Sequence, residues 1–281
     1  MGLVDSDKRM VIIDASYIMH VMVSSSKSEY EKKFGPMSDG YDVGTDDDFL
    51  SMVQTRITRF ISNTKKNNMG AMAVFAWDDS KKNLWRHALD AEYKMHRIIA
   101  DSTKEGPNMY GAWKWYKEHC NGRTDIINVF VPRCEGDDVI ARLVERYHSD
   151  YEIRVITSDS DMAQLSGKAE VFDMFGKNVI ESTFEKFKVD NANDYILVKA
   201  ITGDKADNIP QVFPRVGPAT AAKAIKDKEY FRKKLLPLNP NWSEMLKSNK
   251  SLIDMMLIPD EIKAEIDVAC DNAMNSDIMF M

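Results

Sequence analysis

Short β-rich runs alternating with helical patterns predict an α/β fold, a parallel-sheet domain followed by a helical region. Three runs each end in an aspartate: Met10-Val11-Ile12-Ile13-Asp14, Met72-Ala73-Val74-Phe75-Ala76-Trp77-Asp78 and Ile153-Arg154-Val155-Ile156-Thr157-Ser158-Asp159. Continuous apolar runs of this length are the mark of strands covered on both faces. Segments of 3.6 periodicity separate them, and beyond about residue 190 only the helical pattern continues.

Taken in order, residues 10–14 read as the first strand, with a helix to about Val23. The Ser-, Lys-, Gly- and Asp-rich stretch 24–48 reads as a loop. Phe49, Leu50, Val53, Ile57, Phe60 and Ile61 give the next helix its apolar stripe. Ala71–Trp77 is the second strand, and Gly106-Pro107 breaks the polar, basic stretch 80–107. Tyr110–His119 is helical, Ile126–Val131 is the third strand, and Gly136–Tyr147 is a helix carrying Val139, Ile140, Leu143 and Val144 on one side. Tyr151–Thr157 is the fourth strand and Ser160–Leu165 a short helix. Glu170–Phe172 and Asn178–Ile180 suggest an edge hairpin around Gly176. Helices are then expected at Asp194–Thr202, at Pro218–Lys228 with its proline in the first turn, at 242–256 and at 260–274.

A length of 281 residues allows one large or two modest domains, and 44% hydrophobic content supports a sizeable core. Cys120, Cys134 and Cys270 have no zinc-ligand spacing, which points to a reducing cytoplasm. The start, Met1 to Asp5, lacks a basic and apolar leader pattern, and no run approaches the ~18 apolar residues of a membrane span. A net charge of −6 argues against a nucleic-acid partner, but its distribution argues for one. Residues 199–234 hold nine Lys/Arg against four Asp/Glu, and residues 81–97 hold five against two. Basic patches of this kind can track phosphates.

The carboxyl ends of parallel strands are where α/β proteins place their chemistry. Asp14, Asp78 and Asp159 would therefore converge on one sheet edge. Glu135-Gly136-Asp137-Asp138 and Ser158-Asp159-Ser160-Asp161 add acids at helix starts. Gly203-Asp204-Lys205-Ala206-Asp207-Asn208 adds two carboxylates three apart. Crowded carboxylates repel unless hard cations such as Mg²⁺ hold them. Each acidic helix start alone is as well explained by capping and the helix dipole. Lys94 and Arg97 would share a helix face if this stretch is helical and could then hold a phosphodiester, though a solvated charged face is the commoner use of such a pair. Trp113, Trp115 and Tyr116 could stack on bases, though core packing is commoner. Arg215-Val216-Gly217-Pro218 resembles a hairpin turn whose backbone N–H groups approach a phosphate.

Asp14, Asp78, Glu135-Gly136-Asp137-Asp138, Ser158-Asp159-Ser160-Asp161 and Gly203-Asp204-Lys205-Ala206-Asp207-Asn208 occur in the order seen in the 5′-nuclease superfamily of flap endonucleases and phage 5′-3′ exonucleases. Trp77-Asp78-Asp79-Ser80-Lys81, Trp85-Arg86, Tyr93-Lys94, Leu252-Ile253-Asp254 and Ile258-Pro259-Asp260 are similar to the T-even-type phage ribonuclease H group within it. The resemblance implies a PIN-like nuclease domain over 1–190, with a helical arch over 80–125. It implies a DNA-binding helix–three-turn–helix region within 191–281. The implied activity is 5′-3′ exonuclease and flap endonuclease, removing RNA primers in replication. Lys94 and Arg97 would contact the scissile phosphate. Tyr93, Arg86, Arg215, Gly217, Thr220 and Lys223 would contact nucleic acid.

Two Mg²⁺ ions, replaceable by Mn²⁺, would serve the reaction ~4 Å apart. Asp14, Asp78, Glu135, Asp137, Asp138 and Asp159 would hold the first, and Asp161, Asp204 and Asp207 the second, more loosely. The family also implies a K⁺ ion at the hairpin turn. Arg215-Val216-Gly217 departs there from the usual Gly-hydrophobic-Gly. Implied partners are branched or nicked DNA, RNA–DNA duplexes, a single-stranded-DNA-binding protein and a sliding clamp. Ser276–Met281 gives no readable motif for the last two. A monomer in the cytoplasm, of the host if phage-encoded, is expected. The alternatives are a PIN-type endoribonuclease, which would end near the nuclease domain, and a DNA-structure-binding protein, which would tolerate loss of the acids. A haloacid-dehalogenase-type phosphatase would need an Asp two residues after Asp14, where Ser16 stands.

Overall fold

A computed structural model describes residues 8–69, 71–103, 105–120 and 122–278. The chain start at residues 1–7 and the last residues of the 276–281 tail lie outside them. Five strands form one parallel sheet: β1 (Arg9–Asp14), β2 (Met72–Trp77), β3 (Ile127–Phe130), β4 (Glu152–Ile156) and β5 (Glu170–Phe172). Their order is β3-β2-β1-β4-β5, with Ile12 of β1 opposite Val74 and Val155. The chain winds one way from β1 and then returns to the other side of it. The carboxyl end of β1 is therefore a topological switch point, where a crevice opens in this class of sheet.

Because side chains alternate across a strand, each strand feeds two cores. Val11, Ile13, Ala73, Phe75 and Trp77 face α1 (Ala15–Phe34), α2 (Asp47–Asn67) and α4 (Tyr110–Cys120). Met10, Ile12, Val74, Ala76, Val129 and Val155 face α5 (Gly136–Tyr147) and the last helix, α11 (Asp260–Ile278). The final helix thus returns to the sheet. Arg142–Asp267 at 2.6 Å and Arg146–Asp271 at 2.7 Å tie it to α5. A third core joins α6 (Val179–Phe187), α7 (Ala192–Thr202) and α8 (Pro218–Lys226) around Tyr195, Val198, Phe213 and Leu235. After α8 come α9 (Lys228–Tyr230), a π turn at Phe231–Leu235, and α10 (Trp242–Ile253).

Several sequence expectations are corrected. Helix α1 continues eleven residues beyond Val23, through the polar Ser24–Phe34, because one face of it still packs inward at Ser26. The expected edge hairpin shrinks to a turn around Gly176 closed by one antiparallel bridge, Phe172 to Asn178: β5 runs parallel to β4, and the second strand is replaced by α6, which Asn178 caps through the Glu181 N–H at 3.1 Å. The residue 35–46 connection is not a free excursion. Asn108 N donates to Tyr41 O at 2.7 Å, and the Tyr30 and Tyr41 hydroxyls both donate to Asp46 Oδ2. In keeping with the commoner use of such aromatics, Tyr116, Trp113 and Trp115 of α4 pack in or against the core, with Trp115 stacked on His119 at 5.0 Å, while Tyr110 at the helix start is exposed. Within 80–125 the described helices are short: α3 (Met95–Thr103), α4 and a 3₁₀ turn at Trp85–Ala88.

Candidate active site

The ends of β1, β2 and β4 and the start of α5 bring four aspartates to the switch point. Asp14 caps α1, accepting from Tyr17 N at 2.9 Å, and accepts from the Thr157 hydroxyl at 2.8 Å. That same Thr157 oxygen accepts from Asp159 N at 3.1 Å, so one side chain spans the crevice between β1 and β4. Asp78 accepts from Gly136 N at 2.5 Å and from the Ser16 hydroxyl. A Cβ at Gly136 would stand 3.1 Å from Asp78 Oδ1 and 3.2 Å from Ala76 O, so glycine lets the α5 start press against β2. Asp137 follows in the first turn of α5.

The electrostatics reflect the crowding. Burial, and then the neighbouring Asp78, push the Asp14 carboxyl up to about 7. Asp78 and Asp159 stand at the open edge of the crevice, where packing by neighbouring atoms still strips part of their hydration. That loss of hydration, and then Asp161, push Asp159 up to about 6. It also raises Asp78 against the pull of its two hydrogen bonds, and with Asp159, Asp14, Glu135 and Asp78 it raises Asp137 well above the usual range. Among the described residues, none of these four makes an ion pair with lysine or arginine.

A second acidic group lies beside them. Carboxylate oxygens of Asp161, Asp204 and Asp207 fall within 4.8 Å of one another. Here cations are present. Lys199 Nζ pairs with Asp161 and, at 2.9 Å, with Asp204; Lys94 and Arg97 reach Asp207 at 3.7 and 2.9 Å. Tyr195 OH donates to Asp161 at 2.7 Å. Burial alone would raise Asp204, but the Lys199 ammonium holds it below its ordinary value. Burial likewise would lower Lys199, and Asp161 reverses the sign. Sequence reading missed Lys199 and Tyr195; their i, i+4 spacing on α7, just ahead of the Gly203-Asp204 turn, was the available signal.

A third, inner network redirects several predicted residues. Asp138, fully buried, accepts from Arg86 Nη2 at 2.7 Å, Arg86 Nη1 at 3.0 Å, Trp85 Nε1 at 3.0 Å and Glu135 N at 3.0 Å. Both of its oxygens are engaged inward, which separates it from the metal-ligand set expected from sequence. The nucleic-acid roles expected of Arg86 and Tyr93 are also corrected. Arg86 is 4% exposed and Tyr93 3%. Tyr93 OH donates to Glu135 Oε2 at 2.9 Å, and Arg86 Nη1 reaches the same oxygen at 3.0 Å while its Nε donates to Leu252 O. Lys94 pairs with the other Glu135 oxygen. Burial would raise Glu135, yet Lys94 and Arg86 keep it low. Lys94 has a left-handed backbone (φ 55°), fixed by its N–H donating to Asp207 O at 3.1 Å. Arg97 is half-exposed and faces the second group.

The hairpin-turn residues stand apart, on the surface at the start of α8. Arg215 and Lys223 are exposed, and Gly217 caps the helix with nothing within 4 Å of where a Cβ would be. Thr220 is half-buried. The all-oxygen donor set suits hard divalent cations. Asp207 Oδ1 is buried and meets Arg97 at 2.9 Å and Lys94 at 3.7 Å as ion pairs, with no hydrogen bond of good geometry. No described helix is long and apolar enough to cross a membrane.

Comparison with known proteins identifies the family and the fold. The family model of the 5′-3′ exonuclease N-terminal, resolvase-like domain matches residues 9–193. The thermostable DNA polymerase I of Thermus thermophilus is 28% identical over 211 residues, covering 73% of this chain and 24% of the polymerase. DNA polymerase I of Deinococcus radiodurans is 37% identical over 102 residues, 34% of this chain and 10% of that one. The chain thus spans about a quarter or less of these relatives. A bacteriophage T5 flap endonuclease solved with DNA and metal ions shares the fold, with TM-score 0.67 and 17% identity over 96% of this chain and 99% of its own. The bacteriophage T5 5′-exonuclease with bound zinc gives the same TM-score and identity, over 96% and 100%.

Proposed function

This chain belongs to the 5′-3′ exonuclease family, and from that premise we propose that it is a divalent-metal-dependent 5′-nuclease. It hydrolyses phosphodiester bonds at 5′ ends and 5′ flaps of branched or nicked DNA and of RNA–DNA duplexes, including primers. The observation that supports the reading is the meeting of Asp14, Asp78, Asp137 and Asp159 at the switch point, with no direct ion pair among the described residues and with Lys94 close enough for its charge to act on Asp78, Asp137 and Asp159. Those four aspartates would hold one Mg²⁺, and Asp161, Asp204 and Asp207 a second; Glu135, with both oxygens engaged by Arg86, Tyr93 and Lys94, would position Lys94 beside the first ion instead of binding it directly. Bound there, the ions would lower the pKa of water and balance charge on the phosphate.

The chain's own residues do the rest. Thr157, Ser16 and the Gly136 N–H fix the carboxylates so that little reorganisation is needed. Lys94 and Arg97, at the base of residues 80–125, present positive charge where a scissile phosphate would lie. Arg215, Gly217, Thr220 and Lys223 would grip the duplex backbone, helped by the N-terminus of α8. On this reading residues 1–190 form the catalytic unit, 80–125 its arch, and 191–281 the duplex-holding part, with α11 pinned back on the sheet.

Cleavage of 5′-labelled flap and nicked RNA–DNA substrates, with Mg²⁺ and with EDTA, tests this directly. Metal-dependent release of short 5′ fragments is expected. Asp159→Asn should abolish it while sparing DNA binding, and Lys94→Met should cost roughly 10²–10³-fold. Tight flap binding without cleavage under any divalent metal would replace the reading with that of a binding protein.

A further inference from the structure

The two acidic groups differ in one respect that the family's chemistry does not require. Asp14, Asp78, Asp137 and Asp159 have no basic partner among the described residues. Asp161, Asp204 and Asp207 are matched by three cations, Lys199, Lys94 and Arg97. Lys199 is central to that match. Its side chain is 7% exposed, its ammonium bridges Asp161 and Asp204, and both of those acids belong to the three whose oxygens lie within 4.8 Å. Lys94 and Arg97 enter from residues 80–125, whereas Lys199 is held by α7 inside the helical core, between buried Val198 and Ala200. It is a fixed member of the group.

Resting on the nuclease reading above, we infer that Lys199 is a built-in counterion of the second acidic group, competing with a divalent cation for Asp161 and Asp204. Its ammonium offsets charge the cation would otherwise meet, and it occupies carboxylate lone pairs that would otherwise be ligands. The consequence is an inequality between the two groups. The four-aspartate group, whose oxygens no ammonium or guanidinium pairs directly, takes a cation tightly, and the directly paired group takes one weakly. Lys199 also keeps the three acids together, since buried like charges without a partner would separate or protonate.

The test needs no turnover. Mg²⁺ is titrated calorimetrically into the full chain without nucleic acid, for wild type, Lys199→Met, Lys199→Gln and Lys199→Arg, and each is melted with and without Mg²⁺. Wild type and Lys199→Arg should show one tight and one weak binding event. In Lys199→Met and Lys199→Gln the weak event should tighten about tenfold or more, the scale of removing one close charge. Those two variants should also melt lower without Mg²⁺ and recover with it. A variant that folds only with Mg²⁺ supports the inference equally. Folded variants with the wild-type isotherm would overturn it, as would variants that Mg²⁺ cannot restore. If first-site binding persists without the second-site gain, only this inference fails. If no protein binds Mg²⁺ at all, the nuclease reading fails with it.

Discussion

Replacing Arg86 by methionine should remove much of this protein's margin of stability while leaving the strand-end aspartates proposed to bind metal chemically intact. The guanidinium makes four charge-assisted contacts in the interior: Leu252 O at 3.1 Å, Glu135 at 3.0 Å, and Asp138 at 3.0 and 2.7 Å. Methionine fills similar volume but leaves the Asp138 carboxylate, 0% exposed, with only the Trp85 and Glu135 N–H donors. Breaking a buried pair from one side costs roughly 3–5 kcal/mol. For a domain of this size that lowers the melting temperature by roughly 6–20 °C. Asp138→Asn keeps shape and some hydrogen bonding, so it should cost less, roughly 1.5–3 kcal/mol. Urea unfolding gives both values, and Mg²⁺ titration of the folded fraction gives metal affinity. Loss of metal binding in Asp138→Asn at undiminished stability would refute this assignment and return Asp138 to the ligand set.

Metal-free stability should depend on pH in an unusual direction. Asp14 at about 7 and Asp159 at about 6 bind protons more tightly folded than unfolded, where the ordinary value is 3.8, so stability falls as pH rises from about 4 to about 7. A tenfold difference in proton affinity between folded and unfolded chain corresponds to ~1.4 kcal/mol, and saturating Mg²⁺ should flatten the slope; a metal-free profile that rises over this window would contradict the burial of Asp14 and the crowding of the acids around it. Gly111→Ala should detach the 35–46 connection from α4, because a Cβ there would lie 2.1 Å from Asp42 Oδ1 and 2.8 Å from Gly44 backbone; unchanged hydrogen exchange at Asn108 would speak against it. Arg215→Ala and Lys223→Ala should each weaken binding to any duplex sequence and lower the salt slope by about 1, measured by anisotropy at several salt concentrations.

What the sequence discloses and what it hides divide along a physical line. The strand-end aspartates were legible because a parallel sheet covered on both faces leaves one chemical edge, and local pattern alone locates the carboxyl ends of its strands. Helix α5, from Gly136 to Tyr147, was legible to the residue because its acidic start and apolar stripe agree. The Ser24–Phe34 extension of α1 was not, since its outward face is as polar as a loop. Asn178–Ile180 looked like a strand because Val and Ile suit either state, and the capping bond from Asn178 decided for helix.

The misassigned side chains share a different cause. Arg86 and Tyr93 sit in a basic, polar stretch, and nothing local separates an arginine bound for solvent from one that will meet Asp138 fifty-two residues later. Burial of charge is a property of the pair, and the pair exists only in three dimensions. The same holds for Lys199, which an apolar helix conceals among Ile196, Val198 and Ile201. A buried lysine is costly unless an acid meets it. A lysine on the inward face of an otherwise apolar helix, one turn before an acidic turn, is therefore itself a prediction of a carboxylate partner. By that rule Lys199 calls for a carboxylate partner without saying which, and the fold supplies Asp161 and Asp204, leaving Asp207 to Lys94 and Arg97.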